Sequence, residues 1–421
     1  MRKMKSSGVE WIGEIPENWK TVKVKQAFVR KNEKAKQENP VILSLARTGV
    51  KVRDVSTNEG QVAESYYNYN PVSVGDLLLN PMDLYSGANC SISDVEGVIS
   101  PAYVNLRSRN GYYSKFYDYY FKAQYWMMVL FAHGKGVSFD NRWTLNNETL
   151  MNFPIVSPDY DTQHRIADFL DDKCGKIDRY IEKQQQTIDK LKEYKQAVIT
   201  EAVTKGLDPD VPMKDSGIEW IGMIPEHWDV KKLKYATDIL RGKFNHRPRN
   251  DPDYYDGQYP FIQTGDVARA TKYINDFSQT LNQKGYDVSK EFPSGSVVMT
   301  IAANVADVSI LNFRACFPDS IVGFIPKDVD KLYLFYILKA MRQQLLKNAI
   351  ISTQLNLNIE IIKEEFIAIP SKREQNEIIL YLENTCDEIN SAIAKQTRII
   401  EKLTEYKKSL IYEAVTGKKE V

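Results

Sequence analysis

The chain has 421 residues, 43% of them apolar, with 56 basic and 55 acidic side chains and a net charge of +1. That length supports two or three cores. Four cysteines without metal-ligand spacing exclude a disulfide scaffold and point to a reducing cytoplasm, and no run approaches the roughly 18 uninterrupted apolar residues of a membrane helix. A charge near zero neither favours nor excludes nucleic acid, because the placement of charge decides. Met1–Ser7 lacks the apolar stretch of a secretory leader, so the sequons at Asn89 and Asn147 carry little weight.

The chain opens on a tryptophan-bearing segment, Met4-Lys-Ser-Ser-Gly-Val-Glu-Trp-Ile-Gly-Glu-Ile-Pro-Glu-Asn-Trp19. It returns 209 residues later as Met213–Trp228, with twelve of sixteen positions identical. Repeats set architecture, so the chain reads as two copies of one unit. The first middle region, to residue 160, is mixed. It has expected strands at Val41–Leu45, Asp76–Asn80 and Val98–Leu106, an amphipathic helix over Ser114–Phe131, and turn signals such as Asn110-Gly111. Its loops carry Arg47, Lys51 and Arg53, then His133-Gly-Lys135-Gly136, Asn141, Arg142 and Trp143.

Residues 161–205 follow as one long helix. Ile166, Leu170, Cys174, Ile177, Ile181, Ile188 and Leu191 recur at steps of three and four, the seam of a coiled coil. Gln184 fills a gap in the seam, either fixing register or turning its amide to solvent. After residues 206–215, with Pro209 and Pro212, the repeated opening segment leads into a second mixed region that ends near residue 370. Strands are expected there at Tyr259–Gln263, Ser296–Ile301 and Ser320–Ile325, and a helix over Val329–Asn348. The stretch Arg241-Gly-Lys243-Phe-Asn245-His246-Arg247-Pro-Arg249 has four positive charges and no acid, and Ser352–Asn358 offers Gln354 and Asn356. Leu145-Asn146 matches Leu355-Asn356. Residues 371–421 repeat the helix: Ile378, Leu382, Cys386, Ile389, Ile393, Gln396, Ile400 and Leu403 each lie 212 residues after a counterpart.

Copies that keep their ends and vary their middles describe one scaffold carrying two different readers. A helix of about 40 residues is about 60 Å long, and only a short linker joins the first helix to the second half. Antiparallel pairing satisfies both seams without making the second half span the rod again. The expected fold class is therefore α+β: two mixed α/β recognition domains (1–160 and, with the linker, 206–370) joined by two long antiparallel coiled-coil helices (161–205 and 371–421) in an internal pseudo-two-fold repeat.

Arg and Lys neutralise phosphates and bond guanine acceptors, while Asn and Gln bond adenine. Singly, each loop residue named above is an ordinary surface residue; together, on two similar domains, they favour DNA reading. The outer face of the helices reads as a solvated face, although Lys192, Lys195, Lys402 and Lys407 on it could also approach phosphates. No phosphate-binding G-x-x-x-x-G-K-[ST] loop occurs. Leu79-Asn-Pro-Met-Asp83 lacks the second proline and the aromatic of the amino-methyltransferase motif. His133, His164, His227 and His246 show neither metal spacing nor a triad, and Asp171-Asp172 reads as a solvated helix face. No catalytic or metal centre is expected. A coiled-coil assembly adaptor whose globular regions bind protein or carbohydrate remains an alternative, one that predicts no salt-dependent DNA binding.

Trp11-Ile-Gly-Glu-Ile-Pro-Glu-Asn-Trp19 and its copy at 220–228, the Pro370–Ile378 start of the second helix, and Ile411-Tyr-Glu-Ala-Val-Thr-Gly417 resemble the specificity subunits of type I restriction–modification systems. The resemblance covers essentially the whole chain. One departure is Thr162-Gln163, where the family usually has Glu-Gln; it is expected to alter a contact at the helix start rather than the role. The resemblance implies a non-catalytic subunit in which each recognition domain reads, through the major groove, one half of a bipartite asymmetric site on double-stranded DNA. The helices would set the spacing and dock two methyltransferase (modification) subunits, with restriction subunits joining them. S-adenosylmethionine, ATP and magnesium would belong to those partners.

Overall fold

The computed structural model describes residues 2–55, 63–82, 84–85, 89–136, 143–347, 349–351 and 355–421. The chain divides into two compact units, Met1–Gln185 with Thr397–Val421, and Gln186–Gln396. Two helices dominate, Tyr160–Lys205 with 46 residues and Lys372–Val415 with 44.

These helices run antiparallel. In the first unit the beginning of the first helix lies along the end of the second. Lys407 donates to the Asp178 carboxylate at 2.6 and 2.7 Å, and Ile166, Leu170, Cys174 and Ile177 share a core with Leu410, Ile411, Ala414 and Val415. In the second unit Lys195 donates to Asn390 at 2.7 Å, and Val198, Ile199, Ala202 and Val203 share a core with Ile378, Leu382 and Cys386. The expected seam residues face inward. Ile166, Leu170, Ile177, Ile188, Ile378, Leu382 and Ile389 are buried, and Ile181, Gln184, Leu191, Ile393, Gln396, Ile400 and Leu403 are half-buried. The Gln396 amide oxygen is shielded from water without a hydrogen-bond partner, so it does not turn to solvent. Of the outer-face lysines, Lys195 and Lys407 bond the neighbouring helix.

Both helices start on the same device. Gln163 accepts from the Tyr113 N–H at 2.7 Å and donates to the Gly111 and Pro158 carbonyls at 3.1 and 2.9 Å. Gln375 accepts from the Asp330 N–H at 2.9 Å and donates to the Pro370 carbonyl at 3.0 Å. Both side chains are buried, and an amide offers donor and acceptor from one planar group without titrating. The repeated tryptophans abut the ends of the helices. A Cβ on Gly417 would lie 3.0 Å from the Trp19 ring and one on Gly206 3.2 Å from Trp228, and both glycines have positive φ (73° and 77°), as helix-ending glycines do.

The first unit holds a four-stranded antiparallel sheet in the order Phe28–Arg30, Val104–Ser108, Leu77–Leu79, Cys90–Ile92. Alternation across the strand sends Leu77 and Leu79 to the main core, with Phe116, Tyr117, Tyr120 and Phe121 of helix Ser114–Trp126. Leu78 faces a smaller core with Leu43 and Leu45 of the hairpin Leu43–Ala46/Gly49–Val52. The strand expected over Val98–Leu106 is two, Gly97–Ile99 and Val104–Ser108, with Pro101 between them. The helix expected over Ser114–Phe131 breaks at Met128, whose φ is 58°.

The second unit holds a five-stranded sheet in the order Thr237–Arg241, Ile321–Pro326, Val297–Thr300, Val308–Leu311, Tyr273–Ile274. Helix Lys331–Ala340 packs on it through Tyr333, Leu334 and Ile337. A separate four-stranded sheet, Gln279–Leu281, Tyr255–Phe261, Ala315–Cys316, Glu291–Phe292, has its own core of Phe244, Phe261, Leu281 and Cys316. The expected match of Leu145-Asn146 to Leu355-Asn356 shifts by two residues. Asn146 caps helix Asn147–Asn152 and Asn358 caps Ile359–Glu364. The true partners are therefore Leu145-Asn146 and Leu357-Asn358, at the same 212-residue offset as the long helices.

Candidate nucleic-acid interface

In the second unit several loops leave one end of the five-stranded sheet. Arg241 pairs with Val322 and Thr300 with Ile321. The Ile301 N–H then donates to Ser320 and the Leu357 N–H to Ile301, both at 2.9 Å, and Ala302 bridges Asn356. The sheet end therefore gathers the basic stretch Arg241–Arg249, residues 318–320, the turn 301–307 and Asn356.

Local rules place the basic stretch. It leaves the sheet in extended form, so side chains alternate: Gly242 and Phe244 are buried, Lys243 and Asn245 exposed. Phe244 anchors the stretch in the core of the side sheet. Gly242 is required, since a Cβ there would lie 2.2 Å from the Pro318 carbonyl oxygen. His246 stacks on Tyr254 at 3.8 Å and bonds Asp251 at 2.9 Å. Hydrogen bonds from the Asp253 N–H and from His246 hold the Asp251 carboxyl below the ordinary range.

Three arginines meet at Asp319, on the loop before strand Ile321–Pro326. Arg241 Nε donates to its main-chain oxygen at 2.6 Å, Arg249 bonds one carboxylate oxygen, and Arg247 lies 3.8 Å from the other. Arg247 also donates to the Phe244 and His246 carbonyls at 2.8 Å each. The stretch read as free of acid thus has an acidic partner brought in from 70 residues away. Sequence reading also missed the neighbouring turn: Ala303, Asn304 and Ala306 all have positive φ (50°, 41° and 63°). Non-glycine residues held there mark strain that tends to collect at functional surfaces. No glycine or proline signals this turn; Thr300 bonds the Asn304 carbonyl, and Arg342 pairs with Asp307.

The first unit gathers its candidates less tightly. Arg47 sits exposed in the hairpin turn and Lys51 exposed on the strand after it, while Arg53 is half-buried. Lys135 is exposed beside Thr144, and the nearby Leu145 N–H donates to Pro81, just past strand Leu77–Leu79. Asn141, Arg142 and Gln354 lie outside the described residues. At the 209-residue offset the counterpart of Lys243 is Lys34, which is exposed and donates to Asn70 at 3.1 Å, with Lys36 exposed beyond it. Sequence reading passed over this stretch because Glu33 interrupts its charge. Lys31, by contrast, joins Arg107 on the buried Asp76 carboxylate. Among the described residues no three His, Cys, Asp or Glu side chains converge to hold a metal ion, and no helix is long and apolar enough to cross a membrane.

Proteins of known family resemble the chain in sequence and in fold. Residues 225–404 match the type I restriction modification DNA specificity domain. The chain is 30% identical over 190 residues to the type I restriction enzyme MjaIX specificity subunit of Methanocaldococcus jannaschii, covering 44% of this chain and 43% of that one. It is 23% identical to the MjaVIII specificity subunit of the same organism over 96% of this chain and 93% of that one. A chain solved in work on complex assembly and conformational transition of the type I R-M system superposes with a TM-score of 0.69 at 14% identity, over 95% of this chain and 98% of its own. These likenesses support a specificity subunit of a type I restriction–modification system.

Proposed function

We propose that the chain reads a bipartite, asymmetric site on double-stranded DNA, one half with each unit, and that the long helices set the spacing and seat two methyltransferase subunits, to which restriction subunits attach. S-adenosylmethionine, ATP and magnesium then act in those partners. The observation that carries the DNA reading is the sheet end of the second unit. There an extended stretch exposes Lys243 and Asn245 while Arg247 and Arg249 stand beside it, a combination that supplies phosphate neutralisation and base-edge bonding together. The two readers share a lysine at Lys34 and Lys243, but Asn32, Gln37, Glu38 and Pro40 stand where the second has Arg241, His246, Arg247 and Arg249, which supports unlike half-sites. Exchanging residues 28–153 for the matching region of another specificity subunit is expected to change one half of the methylated motif and leave the other half and the spacer intact. A motif altered in both halves, or in neither, would overturn the assignment. Removing one heptad from each long helix is expected to shorten the spacer.

A further inference from the structure

We infer that Asp319 is a positioning residue that trades sequence-independent DNA affinity for specificity by holding the arginines of the second reader; the inference rests on the DNA reading proposed above. Four cations crowd residues 241–249, and without a counter-charge they would repel one another and sample many rotamers. Asp319 answers both problems. Its carboxylate bonds Arg249 and faces Arg247 at 3.8 Å, and its main-chain oxygen fixes Arg241 at 2.6 Å. Arg247 is held further by two carbonyls, so its guanidinium plane is set before any ligand arrives. A planar fork held in place loses little freedom on binding. The Arg247 and Arg249 side chains stay 56% and 47% exposed, within reach of a phosphate or a guanine edge.

The carboxylate also removes one unit of positive charge from the surface. Loose binding to any duplex grows with the number of cations that displace counterions, whereas specific binding depends on where those cations point. Asp319 lowers the first quantity and fixes the second. Its position supports this division: the loop 317–320 is tied to the basic stretch by main-chain bonds, Gly242 N–H to Ile321 and Lys243 N–H to Phe317 at 2.9 and 3.0 Å. Replacing the side chain therefore leaves the loop's own anchors in place.

The test uses the full chain assembled with its modification subunits, titrated with its methylated motif and with a scrambled duplex from about 50 to 300 mM salt. For Asp319→Asn, the slope of log K against log salt on the scrambled duplex is expected to steepen by about one. Scrambled-duplex affinity at low salt should rise several-fold, and the ratio of cognate to scrambled affinity should fall. Asp319→Glu, which keeps the charge, is expected to restore the wild-type slope. An unchanged slope with an unchanged ratio overturns the inference, and so does an equal loss on both duplexes at the wild-type slope, which would mark Asp319 as a loop anchor alone. Wild-type complex that shows no salt-dependent DNA binding overturns the DNA reading itself, and this inference with it.

Discussion

The two halves share a scaffold and differ at their working ends, and the start of the long helices shows how a shared position can still diverge. In the second unit Ser371 and Glu374 form a reciprocal cap: Ser371 N–H donates to Glu374 at 3.2 Å, and Glu374 N–H to the Ser371 hydroxyl at 3.3 Å. Glu374 also accepts from the Trp228 indole at 2.9 Å. The first unit has Asp159 and Thr162 in these places. Asp159 accepts from the Thr162 N–H and hydroxyl at 2.8 and 2.7 Å, so the helix is capped, but Trp19 Nε1 is buried without a partner. The Thr162 departure thus changes one contact at the helix start and leaves the Gln163 clamp untouched. The tolerated variation lies in how the scaffold is capped, while the position that orders its neighbours stays the same.

The largest effect should come from the readers. Replacing Arg241, Lys243, Arg247 and Arg249 with Ala is expected to weaken DNA binding by the assembled complex about a hundredfold or more at physiological salt and to flatten its salt dependence. Lys34→Ala with Lys36→Ala, in the first reader, should cost roughly tenfold or less; equal losses would erase the contrast between the two sheet ends. Gly242→Ala forces a Cβ against the Pro318 carbonyl and is expected to destabilise the second unit by about 2–3 kcal/mol in chemical denaturation. Carrying the second unit's cap into the first, Asp159→Ser with Thr162→Glu, gives the Trp19 indole an acceptor and should stabilise the first unit by about 1 kcal/mol. Thr162→Glu alone sets two carboxylates side by side and should not.

The smallest effect concerns acid. Partial burial works to raise the Glu374 carboxyl, but hydrogen bonds from Trp228, Ser371 and His227 outweigh it and hold it at about 2. A carboxyl lowered on folding adds stability that is complete above its ordinary value of 4.5 and is lost as pH falls toward 2. Glu374→Gln should remove that part of the acid sensitivity in denaturation midpoints measured between pH 5 and 3; an unchanged slope would mean the cap contributes nothing through charge.

The repeat, the seam and the paired helices were legible because periodicity and duplication are properties of the chain alone. Gln163 and Gln375 could be matched, but their clamp could not, since Tyr113 and Asp330 reach them from separate elements. The basic stretch 241–249 was visible as composition. Its geometry was not, because Asp319 arrives only when strand Ile321–Pro326 pairs with Thr237–Arg241. The turn 303–306 escaped for another reason: Asn304 is its one turn-prone residue, and bonds from Thr300 and Arg342 hold the segment. In the first reader Lys34 was not singled out, because Glu33 breaks the run of charge around it.

The central claim is that two unlike readers on one scaffold recognise one split, asymmetric target. Mapping methylated adenines across the genome of cells carrying the assembled system tests it most directly. The account predicts a single motif of two different half-sequences separated by a spacer of constant length; a palindromic motif, or one contiguous block of specified bases, would contradict it.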